Sequence, residues 1–131
     1  MLLMEKPGDS VIKKILVIDD DKLVLGSIEK QLKNKKLSIH LIDDPVQALE
    51  EISKNQYDLV LCDIRMKSIS GLDVLKKLKL NYPDIPVIII TGYIDDKIME
   101  KAENLGSSDF LIKPITKKVL LNSISNILAN I

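Results

Sequence analysis

Three consecutive aspartates, Asp19, Asp20 and Asp21, follow directly on the apolar run Ile15, Leu16, Val17, Ile18. A second apolar run, Leu59, Val60, Leu61, Cys62, ends on Asp63. If these runs are neighbouring strands of a parallel sheet, their carboxylates converge at one edge, and like charges that close do not all stay ionised without a cation. Magnesium fits such a place, because it takes oxygen ligands from one or two carboxylates together with a phosphate and water. The chemistry indicated is that of phosphate on a divalent ion.

The elements that would position these residues can be read from the apolar pattern. Strand and helix patterns alternate, as in an α/β domain with a parallel sheet. Strands are expected over residues 15–18, 38–42, 58–62, 87–90 and 109–112. Short apolar runs of this kind suit strands buried on both faces, and the helices between them make right-handed crossovers.

The helices carry start and stop signals. The first is expected over about 22–35, with Leu25, Ile28 and Leu32 inward and Asp21 as its cap. Asp44, Pro45 and Gln47 supply a cap, a first-turn proline and a capping-box partner ahead of Ala48, Leu49 and Ile52. Ser70 and Asp73 open the helix of Leu72, Leu75 and Leu78. A fourth helix starts near Asp95, places Ile98, Ala102 and Leu105 on one face and stops at Gly106. The last runs from Thr116 through Leu128. Its stripe of Leu120, Ile124, Ile127 and Ile131 is core; Leu121 and Leu128 begin a second stripe, either a partner or self-association surface or one covered by the chain's own neighbours.

Ligands in open α/β sheets bind beyond the carboxyl ends of the strands. Asp19 and Asp20 leave the first strand, Asp63 the third, Thr91 the fourth and Lys113 the fifth. One aspartate after a strand is ordinarily a turn or cap residue. The joint placement of five charged or reactive groups at strand exits is what marks a site.

Composition narrows the classes. The 131 residues suit one domain, and 19 basic against 19 acidic residues leave no net field to draw nucleic acid or an anionic membrane. Every basic residue but Arg65 is lysine, so the guanidinium forks that read base edges are lacking, and no nucleic acid is expected to bind this chain. Cys62, the single cysteine, lies in an apolar strand and reads as packing. No apolar stretch approaches the roughly 20 residues of a membrane span, and the N-terminus lacks the regions of a signal peptide, so a cytoplasmic protein is expected. Residues 1–13 read as a flexible leader and 14–131 as the domain. His40, the only histidine, belongs to an edge or surface position, and a histidine-rich metal site is excluded. No glycine-rich loop follows the first strand, which counts against nucleotide or flavin binding.

Residues 14–128 resemble a response-regulator receiver domain. The matching pattern is Asp19 and Asp20 after a strand, Asp63 within Asp63, Ile64, Arg65, Met66, Gly71 beyond it, Thr91 with Gly92, and Phe110 ahead of Lys113 and Pro114. The resemblance implies a flavodoxin-like, doubly wound five-stranded sheet of order 2-1-3-4-5 with five helices. It implies that Asp63 accepts a phosphoryl group, that Asp20 and Asp63 hold magnesium directly, that Asp19 does so through water, and that the backbone carbonyl of Arg65 completes the protein ligands. Thr91 would donate its hydroxyl to the phosphoryl oxygens and Lys113 would pair with them, offsetting the acidic cluster beforehand. Phe110 matches an aromatic switch position, acting here through packing alone, and Pro114 a cis proline.

The implied donor is a sensor histidine kinase or a histidine phosphotransfer protein. The implied output is a changed surface on helix 4, strand 5 and helix 5, which is also the face expected for a homodimer. This chain is expected to carry no DNA-binding or catalytic output segment of its own. Lys67 departs from the pattern, standing where proline is usual, and a looser loop is expected there. Two other readings compete. One is a haloacid-dehalogenase-like phosphatase with Asp19 as nucleophile and Asp21 as acid/base, which leaves Asp63 without a task; the other is a receiver-like binding module that never carries phosphate.

Overall fold

Five short apolar stretches pair into one parallel sheet: Lys13–Ile18 (β1), Leu37–Ile42 (β2), Leu59–Asp63 (β3), Val87–Thr91 (β4) and Asp109–Ile112 (β5). Their order is β2-β1-β3-β4-β5. The computed structural model describes residues 12–34 and 36–128. Successive strand side chains point to opposite faces. Ile15 and Val17, Leu59 and Leu61, and Ile88 and Ile90 therefore face one layer, while Leu16 and Ile18, Val60 and Cys62, and Val87 and Ile89 face the other. Full burial of β1, β3 and β4 is why these stretches read as unbroken apolar runs rather than alternating ones.

The two layers are helical. Lys22–Gln31 (α1) and Lys117–Ile127 (α5) cover the first face through Leu25, Ile28, Leu120 and Ile124. Pro45–Lys54 (α2), Gly71–Asn81 (α3) and Asp96–Asn104 (α4) cover the second through Ala48, Ile52, Val74, Leu75, Leu78 and Ala102. The caps work as read, whereas among the described residues neither Gln47 nor Asp73 returns a side-chain hydrogen bond to close a capping box. Asp21, Asp44, Ser70, Asp95 and Thr116 each accept a first-turn backbone N–H, a contact worth about 1 kcal/mol apiece. Gly106 takes φ 98° after α4, and the N–H groups of Gly106 and Ser107 return to the carbonyls of Glu103 and Ala102. That closure is a Schellman motif, and its left-handed residue is why glycine stands there.

Some boundaries differ from the sequence-based expectation. β1 begins at Lys13, paired with Leu37 on the edge strand. Helix α1 ends at Gln31 rather than near Lys35, because Asn34 forms a turn: its side chain accepts from the Lys36 N–H at 2.8 Å and its carbonyl from the Leu37 N–H at 3.1 Å. Lys35 itself lies outside the described residues, as do residues 1–11 of the expected leader and Ile131. The second stripe of α5 resolves toward self-coverage: Leu128 is buried and Leu121 packs half-buried against the α1/α5 core. His40 lies exposed on the edge strand β2, with its ring edge-on to Tyr57.

Candidate functional site

Register brings the polar residues to one level. Ile18 lies opposite Cys62 across β1 and β3, so the next residues, Asp19 and Asp63, leave the sheet side by side. Asp63 lies opposite Ile90 of β4, with Thr91 one residue on, and Thr91 lies opposite Ile112 of β5, with Lys113 following. The backbone N–H of Lys113 donates to the Thr91 carbonyl at 2.7 Å and continues the pairing past the strand end.

The side chains close on each other. Asp19 is fully buried; its Oδ1 accepts the Asp21 N–H at 2.9 Å and its Oδ2 accepts Lys113 Nζ at 2.7 Å. The same ammonium lies 3.4 Å from Asp63 Oδ1. One lysine thus answers two buried carboxylates. Burial pushes the Asp63 carboxyl up to about 6, the Asp19 charge adds to the push, and Lys113 pulls part of it back. Burial by itself would lower Lys113, but the hydrogen bond and charge of Asp19, with Asp63 behind them, outweigh it and hold the ammonium above its ordinary value.

Asp19, Asp20 and Asp63 each offer a carboxylate oxygen, all within 4.8 Å of one another. A hard, oxygen-only donor set crowded around a single cationic side chain suits a magnesium ion. Asp20 is half-buried, and among the described residues its Oδ1 meets no donor. The Arg65 carbonyl, on the loop after β3, likewise accepts no backbone hydrogen bond among them. Asp19, with both oxygens taken, is the least free of the three. The expected ligands Asp19, Asp20 and Asp63 are therefore gathered, with the Arg65 carbonyl on the adjoining loop.

The neighbouring loops supply further contacts. Thr91 is buried, and its Oγ1 accepts the Tyr93 N–H at 3.1 Å. Arg65 lays its guanidinium over the Tyr93 ring, 3.6 Å from the ring centre, linking the loops after β3 and β4 across the mouth of the site. Phe110 is half-buried on the α3/α4 side of the sheet, and the Lys113–Pro114 peptide is cis, as the sequence led one to expect. Asp21 caps α1 through the Leu23 N–H and stands apart from the acidic trio. The Cys62 thiol is buried, and burial raises its pKa, in keeping with a packing role.

Two contributors escaped the sequence reading, and so did the reason for a third. Tyr93 carries no pattern that would single it out, since its partner Arg65 is remote in the chain. The Lys67 N–H donates to Asp20 Oδ2 at 3.1 Å, a main-chain contact that only the absence of proline could have hinted at. Gly71 was recognised as a motif member without its reason. A Cβ at Gly71 would overlap the backbone carbonyl oxygen of Asp63, so α3 packs its first residue directly on the segment that presents the aspartate.

Fold and site together define a class, and comparison with known proteins agrees with it. The family model "Response regulator receiver domain" matches residues 15–125, and this chain belongs to that family. It is 37% identical over 116 residues to the transcriptional regulatory protein ZraR of Klebsiella oxytoca, covering 88% of this chain and 26% of that protein. It is 34% identical over 110 residues to the response regulator MprA of Mycobacterium sp. strain KMS, covering 82% of this chain and 47% of MprA. The chain thus spans about a quarter to a half of these curated relatives. Among solved structures, a response regulator receiver domain protein from Clostridium thermocellum superposes with TM-score 0.83 at 31% identity, over 88% of this chain and 94% of that one. A CheY-like receiver domain protein from Methanospirillum hungatei JF-1 gives TM-score 0.84 at 26% identity, over 88% and 92%. The chain is therefore a signalling receiver domain of the two-component type. No helix among the described residues is long and apolar enough to cross a membrane.

Proposed function

We propose that residues 14–131 act as a magnesium-dependent phosphoacceptor domain, with Asp63 as the residue modified. The observation that carries this reading is the Lys113 ammonium, 2.7 Å from Asp19 and 3.4 Å from Asp63, beside a third carboxylate on Asp20. In the transfer, an Asp63 carboxylate oxygen attacks phosphorus as the bond from phosphorus to the donor's histidine nitrogen breaks, and that nitrogen keeps the electron pair. Asp20, Asp63 and the Arg65 carbonyl hold magnesium, with Asp19 acting through water. When bound, magnesium neutralises charge on the phosphoryl oxygens. Lys113 pairs with the product phosphoryl group, and the Thr91 hydroxyl, whose oxygen accepts the Tyr93 N–H beforehand, turns to donate to a phosphoryl oxygen.

The switch follows from differential contacts. Thr91 and Lys113 have one set of partners before modification and another after it. Their movement opens space toward Phe110, whose ring responds by packing alone. The altered surface is that of α4, β5 and α5, where Met99 and Val119 lie exposed, with Ile94 exposed on the loop ahead of α4. A sensor histidine kinase or histidine phosphotransfer protein donates the group, and a homodimer forms through the same face. Hydrolysis of the acyl phosphate is the only turnover this reading assigns to the chain, and a cytoplasmic location accompanies it.

Incubation with magnesium and acetyl phosphate, followed by intact mass, tests the proposal. Wild type gains a base-labile phosphoryl adduct and Asp63→Asn gains none. Turnover that depends on Asp19, with no need of Asp63, would instead support a phosphatase. The buried, doubly bonded Asp19 carboxylate speaks against that alternative. No adduct in wild type would leave an unmodified binding module. Solution mass with beryllofluoride in place of phosphate tests the dimer; only monomer there would remove it.

A further inference from the structure

We infer that the backbone N–H of Lys67 is a positioning group for the magnesium site, doing in this chain what a proline at the same place could not. The loop between β3 and α3 carries one expected ligand, the Arg65 carbonyl, and two residues later the Lys67 N–H that holds Asp20 Oδ2 at 3.1 Å. Asp20 comes from the other loop, after β1. This hydrogen bond therefore joins the two ligand-bearing loops across 47 residues of sequence, and it occupies one oxygen of Asp20 while leaving the other without a donor among the described residues.

Two features make the tie more than a chance contact. The loop is fixed on its far side, since Gly71 N–H donates to the Ile64 carbonyl at 2.8 Å and Met66 and Ile69 pack against the α2/α3/α4 core. Its geometry is thus set independently of Asp20, and the Lys67 N–H is presented to the carboxylate by a held backbone. In addition, Asp20 is the member of the trio with least other restraint. Asp19 is held by Asp21 N–H and Lys113, and Asp63 lies in a strand, whereas the Asp20 carboxylate has the Lys67 N–H as its one donor among the described residues. A carboxylate held through one oxygen presents the other in a fixed direction, so less freedom is lost when a cation binds. Lysine at this position therefore gives the loop a tie to Asp20 that proline could not. It exchanges a ring constraint for a hydrogen bond that reaches the ligand itself.

The inference rests on the magnesium reading, and the test separates the two. Magnesium affinity is measured by calorimetry on wild type, Lys67→Ala and Lys67→Pro, with no phosphodonor present. Lys67→Ala keeps the N–H and binds within about twofold of wild type; Lys67→Pro lacks it and binds about five- to tenfold more weakly than Lys67→Ala, the scale of ordering one side chain on binding. Amide hydrogen exchange supplies a readout that needs no proline. The Lys67 amide is protected in the metal-free wild type and loses that protection in Asp20→Ala. Equal affinity of the alanine and proline variants, tighter binding by the proline variant, or a Lys67 amide indifferent to Asp20→Ala overturns the inference. Should wild type bind no magnesium at all, the metal reading falls with it. If Lys67→Pro does not fold, the exchange measurement decides alone.

Discussion

The two ends of the sheet treat their carboxylates in opposite ways. At the amino end of the strands Asp58, Asp109 and the nearby Glu51 have separate partners. Asp58 accepts the Lys14 N–H, Asp109 accepts the Phe110 N–H and the Ser123 hydroxyl, and Glu51 accepts from Tyr57 and Asn55. At the carboxyl end Asp19, Asp20 and Asp63 are brought within sharing distance with one lysine among them. Acids at the first end tie elements together. Those at the second are held against their mutual repulsion by the fold and by the Lys113 ammonium.

The contrast can be broken most forcefully at Gly71. A methyl group there meets the Asp63 carbonyl, and the backbone must shift to admit it. Gly71→Ala is expected to cost at least about 3 kcal/mol in urea unfolding and to impair phosphorylation with it. Lys113→Met comes next. It leaves Asp19 and Asp63 without their shared cation, destabilising the metal-free protein by roughly 2–3 kcal/mol and raising the Asp63 carboxyl further, readable by carbon NMR titration. Saturating magnesium should recover most of that loss. If magnesium leaves the deficit unchanged, the carboxylates do not share a cation.

A third variant should have the opposite sign. Because the folded-state pKa of Asp63 is raised from 3.8 to about 6, the folded protein binds the extra proton across that window. Stability is therefore lost as pH climbs through it, by on the order of 2 kcal/mol from this group. Asp63→Asn is expected to remove that slope and to be the more stable protein above about pH 6 when metal is absent. Melting curves between pH 4 and pH 7 check it, and a wild type with no such slope would refute it. The smallest change belongs at the other end. Ser123→Ala removes one hydrogen bond to Asp109 and is expected to cost about 1 kcal/mol while leaving magnesium affinity untouched.

How much of this was legible beforehand varies with the range of the interaction. The caps Asp44, Ser70, Asp95 and Thr116, the stop at Gly106 and the five strands are local matters of periodicity and backbone chemistry, and they appear where the residues said. Asp19, Asp63, Thr91 and Lys113 could be grouped because strand exits in a parallel sheet share one edge. Leu121 and Leu128 could not be assigned, since helical spacing says which residues share a stripe but not whether a neighbour covers it. Tyr93 and the Lys67 N–H were out of reach for the same reason: their partners lie on other loops.

The amino-acid order by itself therefore determined the alternation of strands and helices, the doubly wound class and which polar groups leave the strands at one edge. Each of these depends on contacts within a few residues or on a rule common to all parallel sheets. Only the folded chain decided that one ammonium spans Asp19 and Asp63, that α3 leaves no room for a side chain at position 71, and that a main-chain N–H holds Asp20. Those are distances of a few ångströms between segments tens of residues apart, and packing alone sets them.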